Sequence, residues 1–272
     1  MLYAFAPMRL AIVLAAALVC GSATAAAPAD SPTLAAIQQR GELRVGLEAG
    51  YMPFEMRDRS GEIIGFDIDL ARLMARKLGV KLGVVNQSWD GIIPALLTGK
   101  FDVTLGGMTI TPERAKSVDF CDPYVTIGQT VLLRRKLADK VHGVQDLDRP
   151  EYTLLTKLGT TGDIAARRQF KRAKLRTFEH QAEAAIEVQN GRADGFVYDL
   201  PFNAVMAARY PDSLAHLNPP FTHEDLGWAI RKGDPALRRW LNEFLAGLRK
   251  DGTYDALYRK WFEGSAWLAN VD

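Results

Sequence analysis

The chain has 272 residues, 34 Lys+Arg, 32 Asp+Glu and a formal net charge of +2. That length suits one large or two modest domains, and so even a charge balance offers no basic excess for a phosphate backbone, which excludes nucleic acid as an expected partner. With 48% hydrophobic and 24% charged residues global disorder is excluded, and the two cysteines, Cys20 and Cys121, make neither a disulfide framework nor a zinc cluster.

Leu10 to Val19 is an apolar run preceded by Arg9 and followed by the small-x-small triplet Ala23-Thr24-Ala25. The run is too short to span a bilayer and has the order of a secretory signal peptide, residues 1–25. Cleavage after Ala25 removes Cys20, so Cys121 is left as a lone thiol and reads as a small packed hydrophobe. Residues 26–40 read as a polar, Pro-containing leader.

Strand–helix alternation follows. Leu43–Leu47 reads as a strand, and Phe66, Leu70, Leu73, Met74 and Leu78 recur at helical spacing up to Gly79. Val80–Val85 is a strand, Ile92–Leu97 a helix and Phe101–Leu105 a strand. Thr111-Pro112-Glu113 is a helix start, with Thr as cap and Pro at the first position. Tyr124–Arg134 reads as one long extended run. The alternation then restarts: strand Tyr152–Leu158, helix Gly162–Phe170, strand Leu175–Phe178, helix Gln181–Gln189, strand Ala193–Tyr198, helix Leu200–Arg209, strand Leu226–Ile230, and helices Pro235–Lys250 and Tyr254–Phe262. Two alternating blocks predict an α/β protein of two lobes. Tyr124–Arg134 and the Pro219-Pro220 segment are the expected crossings, so residues 41–128 and 226–272 are assigned to the first lobe and 129–225 to the second.

Ligands in open α/β sheets bind beyond the carboxyl ends of the strands. The residues placed there are Glu48 and Tyr51; Trp89; Gly107, Met108 and Thr109, with Arg114 a helical turn on; Thr161 in a Gly-Thr-Thr-Gly turn; and Asp199. Arg114 offers a planar fork for a carboxylate, Thr109 a hydroxyl, and the Thr161 N–H a helix-start anion site. Asp199 suits an ammonium group, and Tyr51 and Trp89 form aromatic walls. Carboxylate and ammonium clamps together describe the α-carbon of a free amino acid. Taken singly, Asp199 is as well explained as a helix cap and Trp89 as core.

Several blocks resemble, in order, the bacterial extracellular solute-binding proteins of the polar amino-acid type, family 3. They are Gly50-Tyr51-Met52-Pro53-Phe54-Glu55, Gly65-Phe66-Asp67-Ile68-Asp69-Leu70-Ala71, Trp89-Asp90-Gly91-Ile92-Ile93-Pro94, Met108-Thr109-Ile110-Thr111-Pro112-Glu113-Arg114, Phe120-Cys121-Asp122-Pro123-Tyr124 and Asp251-Gly252-Thr253-Tyr254. The resemblance implies a two-lobe periplasmic-binding-protein clamp. Each lobe is a mixed sheet flanked by helices, and the chain crosses the hinge twice. It also implies a monomeric receptor, without cofactor or metal, that gives its amino acid to an ABC permease in the inner membrane. Arg114 and Thr109 match the family's carboxylate-binding residues, Thr161 its helix-start residue, Asp199 its ammonium-binding Asp, Tyr51 its stacking aromatic and Glu48 its acidic side-chain partner. Glu48 beside Tyr51 and Trp89 favours a polar or basic ligand side chain. Where some members carry Ser, this chain has Gly106 and Gly107. The alternative is a periplasmic cyclohexadienyl-type dehydratase on the same scaffold, with Glu48 as general acid; no nucleophile elbow, metal-ligand pair or phosphate loop supports it.

Overall fold

The structure, a computed structural model, describes residues 31–271; the expected signal peptide lies outside the described residues. Two five-stranded sheets form the frame. The first has the order Lys81–Asn86, Glu42–Leu47, Val103–Thr104, Ala229–Arg231, Val118–Phe120, and only Ala229–Arg231 runs against its neighbours. The second has the order Lys174–Phe178, Thr153–Lys157, Gly195–Asp199, Gln129–Arg134, Leu214–His216, and only Gln129–Arg134 runs against its neighbours. Both are mixed sheets, as expected. In each, the odd strand is the one by which the chain enters after crossing between lobes.

The crossings lie side by side. Val125–Ile127 pairs antiparallel with Glu224–Leu226, and just beyond this ribbon a Cβ on Gly128 would fall 2.1 Å from the Thr222 carbonyl oxygen. Only glycine fits where two backbones approach so closely. There the run expected as one strand, Tyr124–Arg134, divides into Val125–Ile127 and Gln129–Arg134. The expected strand Leu226–Ile230 also divides, around Gly227, into the end of the ribbon and Ala229–Arg231.

The inner strands of a doubly covered sheet read as continuous apolar runs, and Gly195–Asp199 is buried at all five positions. Helices Phe66–Leu78, Gln181–Gln189, Leu200–Arg209 and Pro235–Lys250 have the bounds that their apolar periodicity predicts. Phe66–Leu78 ends at Gly79, whose φ of 68° is the left-handed cap conformation. Its first residue, Phe66, is fully buried, stacks on Tyr124 at 6.2 Å and meets Phe54, Tyr254 and Phe262 edge-on. The C-terminal helices thus close over the first sheet.

The expected leader is corrected in its second half, because Pro32–Arg40 is a helix. Ser31 caps it, Pro32 occupies the first turn, and Leu34 and Ile37 are completely buried. Asp234 ties the start of the described chain to the start of helix Pro235–Lys250. It accepts from Ser31 Oγ at 2.8 Å and Thr33 N at 3.1 Å, and it also caps Pro235–Lys250 by accepting from Leu237 N at 2.9 Å. Strands Met56–Arg57, Ile63–Ile64, Val118–Phe120 and Leu214–His216 were not anticipated, being too short to show a period. Cys121 is buried, and burial pushes its thiol up to about 12, as suits a packed side chain.

Removing the Phe66 ring should leave a cavity at the junction of five aromatic groups. Phe66→Ala is expected to destabilise the protein by about 3–5 kcal/mol, measured as a shift in the urea unfolding midpoint at unchanged slope.

Candidate functional site

A cavity lies between the facing strand ends of the two sheets. Glu48, Tyr51, Trp89, Gly107, Thr109 and Arg114 line it from the first lobe and Thr161 and Asp199 from the second. Eight of the nine expected residues therefore meet at one place. The ninth, Met108, does not line it: its side chain is buried among Ile92, Leu96, Phe101 and Val118. Successive residues on an extended segment point to opposite faces, so Thr109 faces the cavity while Met108 faces the core.

The lobes are closed on one another, and the cavity encloses about 20 Å³, room for about one water molecule. Arg114 lies at the end of Pro112–Ala115, whose cap is Thr111, as expected. Its Nη1 donates to the Thr109 carbonyl at 2.9 Å and its Nη2 to the Gly159 carbonyl of the other lobe at 3.4 Å. The indole of Trp89 lies 5.1 Å from the Arg114 guanidinium and donates to the Gly159 carbonyl at 3.2 Å, so it is a wall and not core. Thr161 begins helix Thr161–Gln169, which Thr160 caps, and its Oγ1 is 3.3 Å from Thr109 Oγ1 across the cleft.

Asp199 precedes helix Leu200–Arg209 but makes no side-chain cap bond. Its carboxyl turns to the cleft and accepts from the Tyr51 hydroxyl and from Gln129 Nε2. Burial, with the Glu224 charge nearby, pushes it up to about 6, against the opposing pull of Tyr51, Gln129 and Arg114. Burial also lowers the Arg114 pKa from its ordinary value. Glu48 is not a free acceptor as expected. Lys157 Nζ donates to it at 2.6 Å from the second lobe, and His180 Nδ1 lies 3.3 Å from its other oxygen.

Lys157, Glu55, Thr160 and Tyr198 also line the cavity, and Glu224 accepts from the cavity residue Thr109 through Oγ1 at 3.1 Å and from Gln129 Nε2 at 3.3 Å. Sequence reasoning missed them. For Lys157 a signal existed, since a lysine closes the apolar run Thr153–Lys157 at a strand's carboxyl end. Gly106 and Gly107 turn their N–H groups inward, to Asp67 Oδ2 at 2.6 Å and to the Tyr124 hydroxyl at 3.1 Å. A Cβ on Gly107 would lie 2.4 Å from the Tyr51 ring, so a larger residue would displace that aromatic wall. Among the described residues no His, Cys, Asp and Glu group could hold a metal ion.

Two α/β lobes that close polar strand ends over one small cavity define a solute-binding clamp. The chain belongs to the bacterial extracellular solute-binding proteins, family 3, whose sequence model matches residues 43–264. A Wolinella succinogenes protein solved in complex with lysine is 53% identical, with a TM-score of 0.82 over 85% of this chain and 99% of that one. The L-cystine-binding protein TcyJ of Escherichia coli is 31% identical over 92% of this chain and 93% of its own. Cyclohexadienyl dehydratase of Pseudomonas aeruginosa is more distant, 26% identical over 89% of this chain and 90% of its own.

Beneath the cavity, Asp67 also accepts from the Tyr124 hydroxyl at 2.9 Å, and burial nonetheless pushes its carboxyl up to about 7. Burial, and then the nearby Asp67, raise Glu55 as well. An unfolded Asp releases its proton near pH 4, so between about pH 4 and 7 the folded chain holds more protons and stability falls as pH rises. Asp67→Asn, which carries no titrating proton and can accept both bonds, should flatten that slope in urea unfolding at pH 4, 5.5 and 7.

Proposed function

We propose that this protein captures one free amino acid between its lobes in the periplasm, after removal of a signal peptide, and presents the closed form to an ABC-type permease. The α-carboxylate lies against the Arg114 fork, with the Thr109 hydroxyl and the Thr161 N–H at a helix start. The α-ammonium lies against Asp199. One observation carries this reading: a guanidinium from one lobe and a carboxylate from the other line the same cavity. Its relatives support the reading, since a 53% identical protein was solved in complex with lysine and a 31% identical one is named for L-cystine. Micromolar binding requires about −8 kcal/mol. Charge-assisted hydrogen bonds contribute about 1.5–3 kcal/mol each, so several of them, with burial of the ligand against the aromatic walls, are needed to offset the cost of ordering.

The protein acts as a monomer and releases its ligand unchanged. A dehydratase relative sets the competing reading, and the buried Glu55 carboxyl at the cavity wall is the group that would serve as its acid. Glu48, the acid expected from the sequence, is instead bonded to Lys157. Product analysis after incubation with a cyclohexadienyl acid should find no turnover; turnover would reverse the ranking.

Calorimetry should show Arg114→Ala and Asp199→Ala each weakening amino-acid binding by at least about tenfold, the equivalent of about 1.4 kcal/mol. Wild-type affinity in both would remove the site assignment. Since the ammonium needs the Asp199 carboxylate, affinity should also fall as pH drops through about 6, and the Asp199 variant should lack that inflection.

A further inference from the structure

Glu224 stands behind the site and belongs to neither clamp. It lies on the returning crossing, where its backbone pairs with Ile127, and it is only 9% exposed. Its Oε1 accepts from Thr222 Oγ1 at 2.9 Å, and its Oε2 accepts from Thr109 Oγ1 at 3.1 Å and Gln129 Nε2 at 3.3 Å. Thr109 and Thr161 line the amino-acid cavity and also a second groove, to which Glu224 contributes. The Thr109 hydroxyl is therefore set in the wall between the ligand's place and a buried carboxylate.

The protons of this wall follow from its acceptors. The Gln129 amide turns its NH2 to Asp199 and Glu224, because its oxygen in that place would meet two carboxylates. A threonine hydroxyl has one proton to give, and an ionised carboxylate can only accept. The Thr109 proton thus goes to Glu224, and the Thr161 hydroxyl, 3.3 Å from Thr109 Oγ1, is left to donate to Thr109. An α-carboxylate placed at Arg114 needs that same Thr109 proton, and receives it only when the hydroxyl turns from Glu224.

We propose that Glu224 is a positioning residue that competes with the ligand's α-carboxylate for the Thr109 proton, and so sets the affinity of the clamp from the hinge. The inference rests on the amino-acid reading above. Both rivals make charge-assisted bonds, so neither holds the proton by a wide margin. Glu224 keeps Thr222 and Gln129 when it gives up Thr109, so it yields without being left unpaired in the protein interior.

The test is calorimetric titration of the full chain with L-lysine, L-arginine and L-glutamine, in the wild type, E224Q, T109V and the double variant. E224Q offers Thr109 a neutral and weaker acceptor. It is expected to bind whichever of the three the wild type binds, at least threefold more tightly. T109V should bind more weakly, and adding E224Q to it should gain nothing, because the contested proton is gone. E224M makes the same comparison if E224Q fails to fold. The Asp199 inflection near pH 6, which burial and then the Glu224 charge raise against Tyr51, Gln129 and Arg114, should move to lower pH in E224Q. An inflection that stays in place would mean that Glu224 brings no charge to the wall, and overturns the proposal. Equal or weaker binding by E224Q overturns it too, as does an equal gain with and without Thr109. Absence of binding to all three amino acids, with Arg114→Ala and wild type alike, would overturn the underlying reading instead.

Discussion

The polar groups of the cleft lose their water when the lobes meet, and the closed form exists because most of them find a partner on the other side. Tyr51 donates to Asp199, Lys157 to Glu48, Trp89 and Arg114 to the Gly159 carbonyl, and Thr109 touches Thr161. Each bond joins one lobe to the other. A buried polar group without a partner costs about as much as several such bonds return. Closure is therefore decided by whether these pairs form together.

That arrangement requires the rest of the molecule to be stiff. The strand ends presenting these groups are set by parallel pairing in each sheet, and the loops that follow are fixed from beneath. Asp67 holds Gly106 and Tyr124, and Tyr124 in turn holds Gly107. Phe66, Tyr124 and Trp228 pack this support against the C-terminal helices. Movement is left to the paired crossings, where Gly128 passes the backbone at Thr222 with no side chain between them.

Local patterns were legible in the sequence because their causes are local. The Phe66–Leu78 helix follows from apolar spacing and a terminal glycine, and Arg114, Thr109, Thr161 and Asp199 could be placed because strand ends are predictable. Pairings over long separations were not. Glu48 is as acidic in the sequence as a free carboxylate would be, and only the fold brings Lys157, 109 positions away, onto it. The break at Gly128 depends on a backbone 94 positions later in the chain, and no periodicity reports it. Met108 was grouped with its neighbours by adjacency alone, and the alternation of side chains along extended backbone sends it to the core. The Pro32–Arg40 helix had a readable cap in Ser31-Pro32, but its two core contacts, Leu34 and Ile37, are too few to stand out among polar residues.

The double role of Asp234 bears on how far the chain can be trimmed. A single carboxylate seats the start of Pro32–Arg40 and the start of Pro235–Lys250, so two helices from distant parts of the sequence share one anchor. The stretch between the expected cleavage site after Ala25 and Ser31 is short, and proteolysis that nibbles past Ser31 would loosen a helix more than 200 positions away. The same anchor keeps Ser31 on the first lobe, so a label placed there would travel with that lobe when the clamp closes.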